Sequence, residues 1–118
     1  DVDNARRKSI AALYGDMLSE AQFALPMERP NVNHVYHLYV ISGNNLDALK
    51  KNMEDNGVLA GIHYPVPGHL HRGYNEKCIL PKGGLPVTEN LVGNILSLPM
   101  YPEISSEQLE MIFNSTAS

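Results

Sequence analysis

Histidine and tyrosine side chains are concentrated in residues 61–74, which read Gly-Ile-His-Tyr-Pro-Val-Pro-Gly-His-Leu-His-Arg-Gly-Tyr. These side chains offer hydrogen-bond donors, a cation and flat ring faces. A phosphorylated sugar needs all three, because charge binds its phosphates, hydrogen bonds hold its hydroxyls and apolar surface covers its ring or base. The pattern therefore indicates a substrate-contacting loop. Its candidate contact residues are His63, Tyr64, His69, His71 and Tyr74.

Two other interpretations of this stretch stay open. His63, His69 and His71 could form a zinc site, although no Cys or carboxylate stands at a standard ligand spacing from them. Alternatively, His63 and Tyr64 are structural residues whose polar atoms bond to the backbone. Each residue taken singly favours the structural interpretation. The clustering favours substrate contact for the group as a whole.

The remaining chemistry-bearing residues give weaker signals. His34 and His37 lie three apart in a predicted strand, so we expect them on opposite faces and not as a pair of ligands. Cys78 is the single cysteine, which excludes an internal disulfide and suits a reducing cytoplasm. The chain contains no phosphate-binding glycine motif, and Gly83-Gly84 indicates a turn.

Length and charge narrow the function classes. The chain has 118 residues, which fits one domain, and a formal net charge of -4. No basic stripe is present, so we expect no nucleic-acid partner; the short run Arg6-Arg7-Lys8 fits a solvated helix face. The apolar stretch around residues 35–41 is far shorter than the roughly twenty residues of a membrane span. Because the chain starts with Asp1 and not Met, we expect it to belong to a longer protein.

Periodicity predicts the elements of the first half. Apolar residues spaced three or four apart predict a helix over residues 1–21, with the face Ile10, Leu13, Tyr14, Met17, Leu18 and Ala21. Residues 34–41 are rich in β-branched and aromatic side chains and predict a strand. Asn44 or Asn45 is expected to cap a helix that buries Leu46, Leu49 and Met53, and Asn56-Gly57 is a helix stop.

The second half is predicted to contain a long loop, two strands and two helices. Residues 58–64 predict a second strand, and residues 65–86 predict a Gly- and Pro-rich loop of a length that is usually functional. A short helix is expected over residues 88–94 and a third strand over residues 95–100. Ser105 and Gln108 form a capping-box pattern ahead of a last helix, whose apolar face is Leu109, Ile112 and Phe113.

This order of elements predicts an α+β fold with one small antiparallel or mixed sheet and helices packed on one face. The opposite face of such a sheet needs another cover. We therefore expect a partner domain or subunit.

Four segments resemble the DegT/DnrJ/StrS family of sugar aminotransferases. They are Asn4-Ala5-Arg6-Arg7 leading to Tyr14, residues 35–41 (Val-Tyr-His-Leu-Tyr-Val-Ile), residues 61–69 (Gly-Ile-His-Tyr-Pro-Val-Pro-Gly-His) and residues 85–102. The last segment contains Leu-Ser-Leu-Pro-Met-Tyr-Pro over residues 96–102. The likeness covers nearly the whole chain in the correct order, and the third and fourth segments are specific in combination.

The resemblance implies that residues 1–118 are a C-terminal small domain with the fold of the aspartate-aminotransferase small domain. In the family, a large N-terminal domain binds pyridoxal phosphate through a lysine, glutamate donates the amino group, and a nucleotide-linked 3-keto or 4-keto sugar accepts it. Family members are homodimers. None of Lys8, Lys50, Lys51, Lys77 and Lys82 matches the cofactor motif. We therefore expect this chain to lack catalytic and cofactor-binding residues and to be inactive alone.

The same resemblance assigns roles residue by residue. His63 and Tyr64 match the family's His-Tyr pair near the nucleotide-sugar, His69 matches the second histidine of that motif, and Tyr74 corresponds to a nearby aromatic position. His71 stands where the family more often has Gln. The form of the motif slightly favours amination at the sugar's third carbon. The alternative is a non-catalytic nucleotide-sugar binding or regulatory module with the same fold.

Overall fold

The computed structural model describes residues 1–18 and 23–117, in which four α-helices and three short strands form. The helices are α1 (Val2–Leu18), α2 (Leu46–Asp55), α3 (Pro86–Val92) and α4 (Ser106–Thr116). The strands are β1 (Phe23–Ala24), β2 (Tyr39–Gly43) and β3 (Ile95–Leu98), and a 3-10 turn spans Gly68–Leu70. Within these residues, none of the helices combines the length and the apolar character that crossing a bilayer requires.

The sheet has one apolar face, set by the pairing of β2 with β3. The strand order is β1-β2-β3 with both pairings antiparallel, and Tyr39 opposes Leu98 while Ile41 opposes Leu96. Because successive side chains of a strand alternate between faces, these four side chains share one face. All four are buried. The expected α+β fold with a small antiparallel sheet is confirmed.

Three helices cover this apolar face. Their buried apolar side chains join those of β2 and β3 in one core, to which α1 contributes Ile10, Ala11, Tyr14 and Leu18, α2 contributes Leu46, Leu49 and Met53, and α4 contributes Leu109 and Ile112. The predicted face of α1 was too wide, since Leu13 and Met17 are 41% and 57% exposed on the flank of this stripe. Ala21 lies outside the described residues.

The prediction of a strand over residues 34–41 is wrong in its first half. Tyr36 has a left-handed φ of 50°, which interrupts the extended backbone. Its N–H also donates to Nδ1 of His34 at 2.9 Å and is therefore lost to a strand ladder. The strand starts only at Tyr39. His34 and His37 are both exposed ahead of it, so the expected opposite-face arrangement does not apply to them.

Residues 58–64 do not form the predicted second strand. Only Gly61 pairs with the sheet, through two backbone hydrogen bonds of 3.0 and 2.7 Å with Ser97. Pro65 and Pro67, which follow closely, have no N–H groups with which to extend the pairing. The remaining strand of the sheet is β1, which the sequence did not predict. It is only two residues long and therefore shows no periodicity.

Most of the predicted helix ends agree with the structure. The capping box is confirmed, because Gln108 N–H donates to Ser105 Oγ at 3.2 Å and Ser105 N–H to Gln108 Oε1 at 2.9 Å. Gly57 takes a positive φ of 78° after α2, as a helix stop requires. Asn45 precedes α2 but its side chain makes no capping hydrogen bond. α3 starts earlier than expected, with Pro86 in its first turn, where a missing N–H costs nothing.

Tyr14 connects α1 to both the sheet and α4. Its side chain is fully buried, and its hydroxyl donates to the Pro99 carbonyl at 2.6 Å. Its ring lies 4.8 Å from that of Tyr39 and meets Phe113 edge-on at 5.8 Å, measured between centroids. Burial raises the pKa of Tyr14 well above its usual range and that of Tyr39 to about 12. Tyr14 therefore stays a hydrogen-bond donor throughout the neutral range.

Arg6 makes a second connection between α1 and the segment after β3. Its guanidinium donates to the Pro102 carbonyl at 3.3 Å and to the Ile104 carbonyl at 3.1 Å. The run Arg6-Arg7-Lys8 was predicted to be a solvated helix face, and Arg6 is exposed while Arg7 and Lys8 are half-buried. These side chains also make hydrogen bonds: Arg6 donates to two backbone carbonyls, Arg7 to Asn4, and Lys8 to Asn33.

Replacing Tyr14 by Phe should lower the free energy of unfolding by about 1–2 kcal/mol, because the Pro99 carbonyl loses its buried donor while ring packing is kept. Urea unfolding with an unchanged m value measures this. The matched control is Tyr101→Phe, since the Tyr101 side chain is 41% exposed. Equal losses in the two variants would contradict the role assigned to the Tyr14 hydroxyl.

Candidate functional site

His63 lies on the sheet face opposite the core. Ser97 lies between the core residues Leu96 and Leu98, so its side chain points to the other face. There its Oγ lies 3.0 Å from Nδ1 of His63, and Ser97 is only 4% exposed. A Cβ at position 61 would come within 3.0 Å of Cε1 of His63, so Gly61 leaves the room in which the ring folds back over the strand.

This arrangement leaves the outer side of His63 free. Nε2 has no hydrogen-bond partner among the described residues, and the residue as a whole is exposed. Tyr64 follows through a cis peptide bond, and its side chain is 74% exposed. The two rings meet edge to face with centroids 5.7 Å apart. The pair presents an imidazole nitrogen, a phenol hydroxyl and a ring face to a ligand.

Tyr64 and His63 border an open hollow of about 320 Å³ between the loop and α3. Val66 and Pro67 form the loop side of its wall, while Thr88, Leu91 and Val92 of α3 and Ile95 of β3 form the other. The sequence pattern indicated the histidine and the tyrosine but not Ser97 or the α3 wall. These residues lie in segment 85–102, which resembles the family, yet no local pattern assigns them to the site, because only the fold brings them there.

His71 and Tyr74 form a second exposed pair further along the loop. Their ring centroids are 6.1 Å apart, and Tyr74 N–H donates to the His71 carbonyl at 2.8 Å in a turn. Tyr74 is 62% exposed. The structure thus separates the predicted contact residues into a pair on the sheet and a pair in the outer turn.

His69 has a different environment from the other four. It is 7% exposed, and its Nε2 lies 3.0 Å from Oε1 of Glu89 in α3. The same oxygen accepts a hydrogen bond from the Leu85 N–H at 3.2 Å. The His69 bond is the main cause that lowers the pKa of Glu89, and the Leu85 bond adds to it. Direct contact between His69 and a ligand stays a prediction.

The site segment is cationic although the chain is acidic. Arg72, Lys77 and Lys82 stand against a single carboxylate, Glu76, in residues 61–84, whereas the whole chain has a formal net charge of -4. All four side chains are exposed. This local charge suits a phosphorylated ligand.

Residues 1–18 and 23–117 contain no arrangement of side chains that supports a metal site. No three His, Cys, Asp or Glu side chains there are grouped to hold a metal ion, and this includes His63, His69 and His71. No lysine lines the hollow beside His63. Lys50 and Lys51 instead face Glu54 and Asp55 on the surface of α2.

Comparison with known proteins identifies relatives along almost the entire chain. The erythromycin biosynthesis sensory transduction protein EryC1 of Saccharopolyspora erythraea is 38% identical over 92% of this chain. The UDP-N-acetyl-3-dehydro-alpha-D-glucosamine 3-aminotransferase of Acidithiobacillus ferrooxidans is 33% identical, also over 92%. The matched regions are only 30% and 29% of those two proteins, so this chain spans less than a third of their length.

Solved structures agree with this assignment. A DegT DnrJ EryC1 StrS aminotransferase from Brucella abortus superimposes on 97% of this chain with a TM-score of 0.88 and 31% identity, the match covering 30% of that protein. Bacillus subtilis NtdA, solved with the cofactor PMP, matches 97% of this chain and 27% of its own with a TM-score of 0.80 and 25% identity. The family model for DegT/DnrJ/EryC1/StrS aminotransferases matches residues 1–116. The chain therefore belongs to the DegT/DnrJ/EryC1/StrS aminotransferase family.

Proposed function

We propose that this chain is the C-terminal portion of a pyridoxal-phosphate-dependent aminotransferase that moves an amino group from glutamate to a nucleotide-linked keto-sugar. The observation that carries the proposal is the His63–Tyr64 pair, held on the sheet by Ser97 beside an open hollow. The family membership supports the reaction class. The name of the Acidithiobacillus relative, a 3-aminotransferase, supports a 3-keto over a 4-keto substrate.

In this proposal the chain binds and orients the sugar nucleotide. His63 Nε2 and the Tyr64 hydroxyl donate to phosphate or sugar oxygens, and the exposed ring of Tyr64 covers apolar surface of the ligand. His71 and Tyr74 reach the ligand from the outer turn, where Arg72 adds positive charge. Holding the acceptor in one orientation and excluding water lower the barrier without any covalent step on this chain.

We propose that this chain supplies neither the reactive lysine nor the main cofactor site. No lysine borders the hollow, and the paired lysines of α2 lie on its exposed surface. Pyridoxal phosphate, where bound, supplies the electron sink for amino transfer. We assign its binding, the reactive lysine and the glutamate site to the part of the protein beyond this chain, so that the chain alone is inactive. We further propose a cytoplasmic homodimer with no nucleic-acid partner.

A second candidate is a non-catalytic nucleotide-sugar binding or regulatory module. The name of the Saccharopolyspora relative, a sensory transduction protein, favours it. The same surface would serve both functions, because ligand contact by His63 and Tyr64 requires no reactive lysine. The two candidates differ in whether the full-length protein holds the cofactor covalently.

Replacing His63 by Ala in the full-length protein should raise the KM for the nucleotide-sugar about tenfold, which corresponds to about 1.4 kcal/mol of binding. The KM for glutamate should stay within about twofold, because the variant removes a contact to the sugar alone. Steady-state kinetics with each substrate varied in turn measure both. His37→Ala is the matched control, since His37 is also exposed but lies ahead of β2. Equal increases in both KM values would contradict the assignment.

The absorption spectrum of the full-length protein separates the two candidate functions. An aminotransferase should be yellow with added cofactor, and borohydride should abolish the band, because reduction acts on the link between pyridoxal phosphate and its lysine. A colourless protein that still binds the nucleotide-sugar would favour the binding module instead.

A further inference from the structure

The loop that follows the His63–Tyr64 pair has few connections to the rest of the molecule. Within residues 64–84, the backbone hydrogen bonds join near neighbours, such as Leu70 to Pro67, Tyr74 to His71 and Gly84 to Pro81. In the described part of the chain, one hydrogen bond connects this loop to an element outside it, the bond from His69 to Glu89. A loop with so few connections needs that contact to hold its side chains in one place.

His69 also differs from the rest of the loop in its burial. His69 is the one buried side chain in residues 63–84, and it lies in the 3-10 turn Gly68–Leu70 at the middle of the chemistry-bearing stretch. Its side chain is only 5% exposed at the contact, whereas that of Glu89 is 42% exposed. A buried imidazole with a carboxylate partner is well suited to fix a turn.

The backbone around Glu89 is arranged for this contact. Its Oε1 accepts from both His69 Nε2 and the Leu85 N–H, so one oxygen joins the loop to the start of α3. Gly84 has a φ of +72°, and a Cβ there would lie 3.2 Å from the same oxygen. Glycine at this position permits both the turn and the close approach.

We propose that His69 is a positioning residue for the sugar nucleotide: its hydrogen bond to Glu89 fixes the loop that carries Tyr64, His71 and Tyr74 against α3. This inference rests on the proposed function, and it assigns His69 an indirect role in place of the direct ligand contact expected from the sequence. Both partners then matter equally, although Glu89 lies outside the sequence stretch rich in histidine and tyrosine.

The test compares variants of both partners in the full-length protein. His69→Phe keeps the ring volume and removes the donor, Glu89→Leu removes the acceptor, and Glu89→Gln keeps an acceptor oxygen. The first two should raise the KM for the nucleotide-sugar by about fivefold to tenfold and leave the KM for glutamate within about twofold, because only groups that bind the sugar lose their fixed positions. Glu89→Gln should keep most of the affinity of the unmodified protein. The double variant His69→Phe with Glu89→Leu should bind the nucleotide-sugar no more weakly than either single variant.

The matched control is Glu110→Leu, which removes an exposed carboxylate from α4, outside the site segment, and should change neither KM. A normal KM in Glu89→Leu together with a raised KM in His69→Phe would overturn the proposal, since His69 would then touch the ligand directly. Additive losses in the double variant would overturn it as well.

Hydrogen exchange of the unliganded full-length protein separates this inference from the proposed function. Amides of residues 70–84 should exchange at least about tenfold faster in His69→Phe and Glu89→Leu, because opening of the loop loses its main restraint. Unchanged exchange would overturn the positioning role. Faster exchange in a protein that does not bind the nucleotide-sugar would support the positioning of the loop while rejecting the proposed ligand.

Discussion

The antiparallel pairing of β2 with β3 sets which side chains face the core and which face the candidate site. Its register turns Tyr39, Ile41, Leu96 and Leu98 toward the three helices and leaves Ser97 on the opposite face. A shift of one residue would exchange the two faces, because side chains alternate along a strand. The same register thus directs the core side chains to one face and Ser97, which contacts His63, to the other.

The site combines a fixed part with a loosely held part. Gly61 and Ser97 form two backbone hydrogen bonds, and the ring of His63 returns to Ser97, so the start of the site is fixed to the sheet. Beyond Tyr64 the chain turns outward and its side chains are almost all exposed. Such a division suits ligand binding, since a rigid scaffold presents one set of groups while a loop closes over the other side.

Sequence and structure agree best where a local signal decides the conformation. The capping box of Ser105 with Gln108 and the helix stop at Gly57 each depend on residues a few positions apart, and both are found as expected. The strand prediction failed where composition and local hydrogen bonding disagree. The N–H of Tyr36 bonds to the side chain of His34 and not to a neighbouring strand, although residues 34–41 have the composition of a strand.

By itself, the sequence determined the fold class, the family and the residue types available to a ligand, because helix periodicity, capping residues and motif order are properties of neighbouring positions. Only the tertiary structure decided which of those residues act together. Ser97 and Glu89 lie in segment 85–102, which resembles the family, but the sequence assigned neither of them a role at the site. They hold His63 and His69 in place from 34 and 20 residues away. Partners at such separations are selected by strand register and helix packing, which depend on the burial of the whole core and not on any short stretch of sequence.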